Sequence, residues 1–161
     1  MAWRNHFPAA LTSVLFCCAL QTQAQRTADS LLERINTSGM RTDSVIALLS
    51  QPLLHTYNEH DRAMLHDRIA SAYRELGYLD SASVHAWHVL RLAPEDNLLR
   101  SRAYALLGSV AFETEAWSRS ADFYAYAARL FLLLEDKTGQ LEALTYQARI
   151  DLRLGFAEEA L

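Results

Sequence analysis

Two stretches of this chain superimpose at an offset of 38 residues. Ile69-Ala70-x-x-Tyr73-x-x-x-Gly77-x-Leu79-x-x-Ala82-x-x-x-Ala86-x-x-Val89 returns as Leu107-Gly108-x-x-Ala111-x-x-x-Glu115-x-Trp117-x-x-Ser120-x-x-x-Tyr124-x-x-Ala127. A third, partial copy lies 40 residues beyond the second, with Leu144, Ala148, Gly155, Ala157 and Ala160 on the slots of Tyr104, Gly108, Glu115, Trp117 and Ser120. Within each copy the apolar and small residues recur every three or four positions, which is the spacing of a helix face. A period of this length means stacked units, each burying its apolar face only against its neighbours. The expected fold is therefore all-α, an α-α superhelix or solenoid of antiparallel helix hairpins. Such a fold presents a surface for holding something.

The flanking segments are read against that array. Arg4, the apolar run from Pro8 to Leu20 and the small residues Thr22 and Ala24 have the layout of an export leader over residues 1–24, cleaved before Gln25. Its apolar core is shorter than the roughly 20 residues of a comfortable membrane span. Both cysteines, Cys17 and Cys18, lie inside it, so a processed chain carries no thiol for disulfides or zinc. Phe16 precedes Cys17 and Cys17 precedes Cys18, whereas a lipid-anchor signal needs a small residue there. The expected location is thus periplasmic or extracellular. Loss of Arg4 with the leader takes the 15 basic side chains to 14 against 19 acidic ones, and the formal charge from −4 to −5. That balance disfavours nucleic acid as a partner. No other apolar stretch reaches spanning length, so no membrane insertion of the processed chain is expected.

Residues 25–60 read as N-terminal capping helices or a degenerate repeat. Leu31, Leu32 and Ile35 share a face of a short helix over 28–36, and Thr42-Asp43-Ser44 offers capping oxygens to a second helix that Pro52 ends soon after Ser50. The array fills 61–161, with units at about 63–96, 101–134 and 141–161. Helices are expected over 61–76, 80–92, 97–113, 117–135 and 140–154, with a break at Asp136-Lys137-Thr138-Gly139. The third unit stops at Leu161, one turn into its second arm, so the expectation is a fragment or truncated frame of something longer.

These spacings resemble the tetratricopeptide repeat. Tyr73, Gly77, Ala82, Leu90, Leu92 and Pro94 match its pattern in the first unit, while His66, Ala86, Ala111, Glu115 and Asp151 depart from it. The long offsets and the Leu130–Gly139 segment resemble long-repeat variants found in exported bacterial signalling proteins. The resemblance implies that the first helix of each hairpin lines a concave groove. By register that groove displays Asp67, Ser71, Arg74, Arg102, Ser109, Phe112 and Arg149, alongside Met64, Glu75, Ala105, Glu142, Thr145 and Arg153. A protein or peptide partner is the expected occupant, and the array is expected to be the sensory or assembly segment of a larger histidine kinase or transcriptional regulator. Lysine and asparagine, which some members use to clamp chaperone tails, are replaced here by Asp67 and Ser71.

Chemistry finds no foothold. There is no nucleophile elbow, phosphate-cradling glycine loop or paired-carboxylate constellation, so the chain is not expected to be an enzyme or to carry a cofactor. His85 and His88, three residues apart on one helix, lack a third ligand, and no metal is expected. The aromatic series Trp87, Tyr104, Trp117, Phe123, Tyr124, Tyr126 and Phe131 reads as packing between hairpins, with Tyr126 and Phe131 off the packing slots and expected at the surface. The rival reading is a small-ligand or glycan receptor of an outer membrane.

Overall fold

The computed structural model describes Ser30, Glu33 and Ile35, then residues 41–55 and 58–159. Among them every regular element is an α-helix: α1 (Thr42–His55), α2 (Glu59–Glu75), α3 (Leu79–Leu92), α4 (Asn97–Glu113), α5 (Trp117–Leu133) and α6 (Lys137–Glu159). At α2 and α4 the start is fixed by a side chain. The Asn58 amide oxygen accepts from His60 N–H at 2.9 Å, and the Asp96 carboxylate accepts from the N–H groups of Leu98 and Leu99 at 3.0 Å.

The turns inside and after the hairpins are copies of one another. Gly77, Glu115 and Glu135 all sit in the left-handed region, at φ 79°, 60° and 57°. The residue that follows each donates its N–H back across the helix end: Tyr78 to Tyr73 O at 2.9 Å, Ala116 to Ala111 O at 2.8 Å and Asp136 to Phe131 O at 2.9 Å. This six-to-one bond is the glycine-type helix stop, satisfying carbonyls that the helix itself leaves open.

Each helix packs on its neighbours in sequence, and α2 also packs on α4. The first arms of successive hairpins therefore stand side by side. The core follows the array as three clusters in series: Val45 and Leu49 against Leu65, Ile69 and Ala72; Ala82, Ala86 and Val89 against Ala103, Leu106 and Leu107; and Tyr124, Ala127 and Phe131 against Ala143 and Ile150. Small residues set the closest approach. A methyl group on Gly108 would lie 2.9 Å from the Tyr124 ring, and the Ser120 hydroxyl donates to the Gly108 carbonyl at 2.8 Å in the same buried crossing of α4 and α5.

Several expectations need correction. The helix expected to stop soon after Ser50 continues through Pro52 to His55. Proline already has a helical φ and removes one ladder bond, a loss outweighed where Val45 and Leu49 bury their side chains against α2. Asp136–Gly139 is not a plain break. Asp136 accepts from Gly139 N–H at 3.0 Å and opens α6, with Gly139 in the first turn because the Phe131 ring lies 2.6 Å from where its Cβ would be. Phe131 is accordingly buried rather than exposed. The turn expected at Gly155 is absent, and α6 runs on to Glu159. One glycine costs a helix only about 1 kcal/mol relative to alanine, which does not end it. The expected leader over 1–24 lies outside the described residues. So does most of the 28–36 helix, of which Ser30, Glu33 and Ile35 are helical and Ile35 packs near Val45 and Leu49.

Candidate functional site

Because α2, α4 and α6 are all first arms, their equivalent faces line one side of the array. They enclose a cavity of about 220 Å³, to which α2 contributes Asp67, Ser71 and Arg74, α4 contributes Arg102, Ala105, Leu106 and Ser109, and α6 contributes Glu142 and Tyr146. Tyr124 and Phe131 reach it from α5. Five of the seven residues placed in the groove by register, Asp67, Ser71, Arg74, Arg102 and Ser109, thus line a single pocket. Phe112 and Arg149 stand beside it. The Arg149 guanidinium lies 4.8 Å over the Phe112 ring and 5.0 Å from the centre of Tyr146, a cation–π sandwich between α4 and α6.

The charges of the pocket are largely committed to one another. Arg102 Nη2 is 2.7 Å from Asp67 Oδ2, and that carboxylate is only 5% exposed. Burial pushes the Asp67 pKa up, against the opposing pull of Arg102 and Arg68, so desolvation outweighs the ion pair. Arg74 is more loosely held, 3.6 Å from Glu113 with both side chains about two-fifths exposed. The Ser71 and Ser109 hydroxyls donate to the carbonyls of Asp67 and Leu106, which leaves their oxygens as acceptors. Burial, then the neighbouring Tyr146 and Glu142, raise the Tyr124 pKa, keeping its hydroxyl protonated as a donor. The pocket therefore offers donors and acceptors in alternation.

Leu106, Tyr124, Phe131 and Tyr146 are the lining residues that register alone did not assign to the groove. The Tyr124 and Tyr146 rings stack in parallel at 4.7 Å, and Tyr124 is 2% exposed. Gly108 is the signal that would have found Tyr124. A glycine facing the second arm leaves room for a ring to cross between the helices and reach the concave side.

A second cluster forms between α2 and α3. His66 is buried, and its neighbours are two further histidines. Its ring stacks on His88 at 4.6 Å and its Nδ1 is 2.9 Å from His85 Nδ1, with the His85 ring 5.4 Å from Tyr73. One of those nitrogens must donate and the other accept, so the contact requires a neutral imidazole on at least one side. Burial, followed by His85 and His88, holds His66 down at about 3, and burial followed by His88 lowers His85. Arg91 lies 3.1 Å from His88 Nδ1. Among the described residues no group of three or more His, Cys, Asp or Glu is arranged to hold a metal ion.

Trp87, Phe123, Tyr104 and Tyr126 form a ladder of rings, with neighbouring centres 6.0, 6.4 and 5.3 Å apart. Tyr126 is exposed, as expected, and so is Trp87. Trp117 instead packs edge-on against Phe112 at 5.2 Å. Among the described residues no helix is long and apolar enough to cross a membrane. Comparison with known proteins finds no family model, no curated protein and no solved structure that matches this chain.

Proposed function

We propose that this chain is a tetratricopeptide-like repeat protein that holds an extended segment of a protein partner along the face shared by α2, α4 and α6. The observation that carries the reading is the pocket built from three successive first arms, in which Arg74, Ser71, Ser109 and the Tyr124 hydroxyl alternate donors with acceptors. An extended peptide presents the same alternation along its backbone. The opening spans several helices, as suits a segment laid across the array. The lining carries neither a nucleophile with an adjacent base nor a ligand set for a metal, which fits holding rather than turnover. The leader-like residues 1–24 support placing this groove outside the cytoplasm, and the repeat length supports a sensory or assembly role in a signalling protein.

The test is selection of binders to the full chain from a random peptide library, followed by affinity measurement on Arg74→Glu and Ser109→Tyr variants. Arg74 is the better arginine to alter, since Arg102 neutralises the buried Asp67 carboxylate and its reversal would injure the fold. Peptides that lose about tenfold or more in affinity for both variants, with far-ultraviolet helicity unchanged, support the groove. Binders indifferent to both changes place the contact elsewhere. N-terminal sequencing of secreted material tests the location, with a start at Gln25 as the expected result.

A further inference from the structure

The junction at which a second arm lies on the next first arm is packed in one copy and open in the following one. In the first, α1 lies on α2, and Val45 and Leu49 are buried against Ile69 and Ala72. At the repeat offset of 38 residues, α3 lies on α4 with Ser83 and Trp87 in the places of Val45 and Leu49, and Leu107 and Val110 in those of Ile69 and Ala72. Serine is smaller than valine and polar, and Trp87 is 51% exposed where Leu49 is fully buried. The end of the junction differs as well. The Thr42 hydroxyl donates to Glu75 at 3.1 Å across the first copy. The equivalent residues in the second are Asp80 and Glu113, two ionised carboxylates that can only accept.

What results is a cleft of about 270 Å³ between α3 and α5, floored by the buried Leu107, Val110 and Ala111 of α4. It shares no lining residue with the groove along the first arms. Its aromatic side is Trp87 of α3 and Phe123 of α5, which meet edge-on with ring centres 6.0 Å apart. Its polar lining is Asp80, Ser83, Thr114 and Arg119. Asp80 and Arg119 occupy the first turns of α3 and α5, so they stand on either side of the same end of the cleft, and among the described residues neither makes an ion pair. The helix dipole explains a carboxylate at a helix start but opposes a guanidinium there, and the first turn of α5 holds no acidic residue to offset Arg119.

We propose that this cleft binds a free α-amino acid with an aromatic side chain. The ligand ring lies over Leu107 and Val110 against Trp87 and Phe123, where edge and face contacts between rings add to the gain from burial. Arg119 holds the carboxylate through paired N–H donors. Asp80 takes the ammonium, and two hydroxyls support it. Ser83 already donates to Leu79 O at 3.0 Å and Thr114 to Val110 O at 2.9 Å, so each presents its oxygen as an acceptor. Three acceptors match the three N–H donors of an ammonium. The volume agrees, falling just under the roughly 300–1,000 Å³ of pockets for drug-sized ligands. A residue inside a longer peptide lacks one or both head charges and would leave Asp80 or Arg119 without its counter-ion.

Isothermal titration calorimetry of the full chain with L-phenylalanine and L-tyrosine tests this, beside hydrocinnamate, which lacks the ammonium, and phenethylamine, which lacks the carboxylate. Saturable binding of L-phenylalanine with a Kd below about 1 mM is expected. Either analogue should bind about fivefold more weakly, the upper range for one ion pair at an open rim. Arg119→Gln should lose the same factor for L-phenylalanine and nothing for phenethylamine, which gives Arg119 no carboxylate to hold. Ser83→Val combined with Trp87→Leu copies the packed junction of α1 on α2, and it should abolish binding with far-ultraviolet helicity unchanged. No saturable heat from either amino acid, analogues that bind as tightly as L-phenylalanine, or an unchanged affinity in the packed variant overturns the proposal. Arg119 is exposed, so its replacement leaves the fold intact and the head-group comparison stands even where the double variant unfolds.

Discussion

One absent methyl group at Gly108 decides how close α4 and α5 lie. The Tyr124 ring that would meet a Cβ there is itself buried and stacked on Tyr146, so it has nowhere to retreat. Alanine at this position gains up to about 1 kcal/mol of helix propensity but overpacks a buried crossing at about 1–3 kcal/mol. Gly108→Ala is expected to be destabilising on balance, by about 1 kcal/mol or more, with a lower urea midpoint at unchanged slope. At the turns the preference runs the other way. Glu115 and Glu135 hold the left-handed conformation that Gly77 adopts freely. Replacing either by glycine is expected to raise stability by about 0.5–1 kcal/mol in the same urea titration, and an unchanged midpoint would show that the strain is absorbed elsewhere. Arg102 has a different kind of importance, because the carboxylate it faces is only 5% exposed. Arg102→Gln is expected to cost about 2–3 kcal/mol by leaving Asp67 charged and buried without its cation, and thermal unfolding of the variant measures that. Adding Asp67→Asn to it should recover most of the loss.

At the scale of the hairpin, the His66, His85 and His88 cluster makes α2 and α3 sensitive to acid. His66 at about 3 and the lowered His85 both titrate below the ordinary imidazole value of 6.5, so the folded hairpin refuses protons that the unfolded chain accepts. The cluster's stabilisation is complete above about pH 6.5 and declines as the pH falls from there towards 3, by at most about 1.4 kcal/mol per pH unit for each histidine kept neutral. Arg62 of α2 and Arg91 of α3 also face His66 and make protonation harder still. The midpoint of thermal unfolding is expected to drop between pH 7 and pH 5 in the parent and to drop less in His66→Leu, which puts an apolar side chain without a titrating group in this buried position. Equal drops in both would put the acid sensitivity elsewhere. The same hairpin shows what a sequence makes legible. Helix bounds over 59–113 follow from apolar spacing and capping side chains, and they agree with expectation to within two residues. His66 was readable only as a departure from a pattern, because its partners arrive from another helix. Gly139 misled because its place is set by the Phe131 ring packed against it, and Gly155 because one glycine costs a helix only about 1 kcal/mol. The groove was legible as a set of positions, whereas its depth was not, since Tyr124 enters it from the other arm through the gap at Gly108.

Across the described residues the stabilising contacts run between helices adjacent in sequence, with α2 also against α4. Three core clusters follow one another, α2 bears on both the first and the second, and α4 and α5 carry the densest packing on both sides. A chain built this way has stability that is a sum of unit and interface contributions, and it need not open all at once. The ends have the least to lose. Among the described residues α1 rests on α2 and Ile35, and the far turns of α6 show Leu152 to solvent. Native-state hydrogen exchange should therefore rank the helices: slowest exchange in α4 and α5, then in α2 and α3, with α1 and the C-terminal turns of α6 opening first at a small fraction of the global free energy. The groove sits across that gradient, with its α2 and α4 walls in the slow region and its α6 wall nearer the fast one. A peptide bound along all three first arms would tie the fast wall to the slow ones, and protection of α6 amides such as those of Ile150 and Asp151 should rise on binding more than protection in α4. Uniform protection across α1 to α6 in the free chain would show a single cooperative unit, and the groove would then be rigid before any partner arrives.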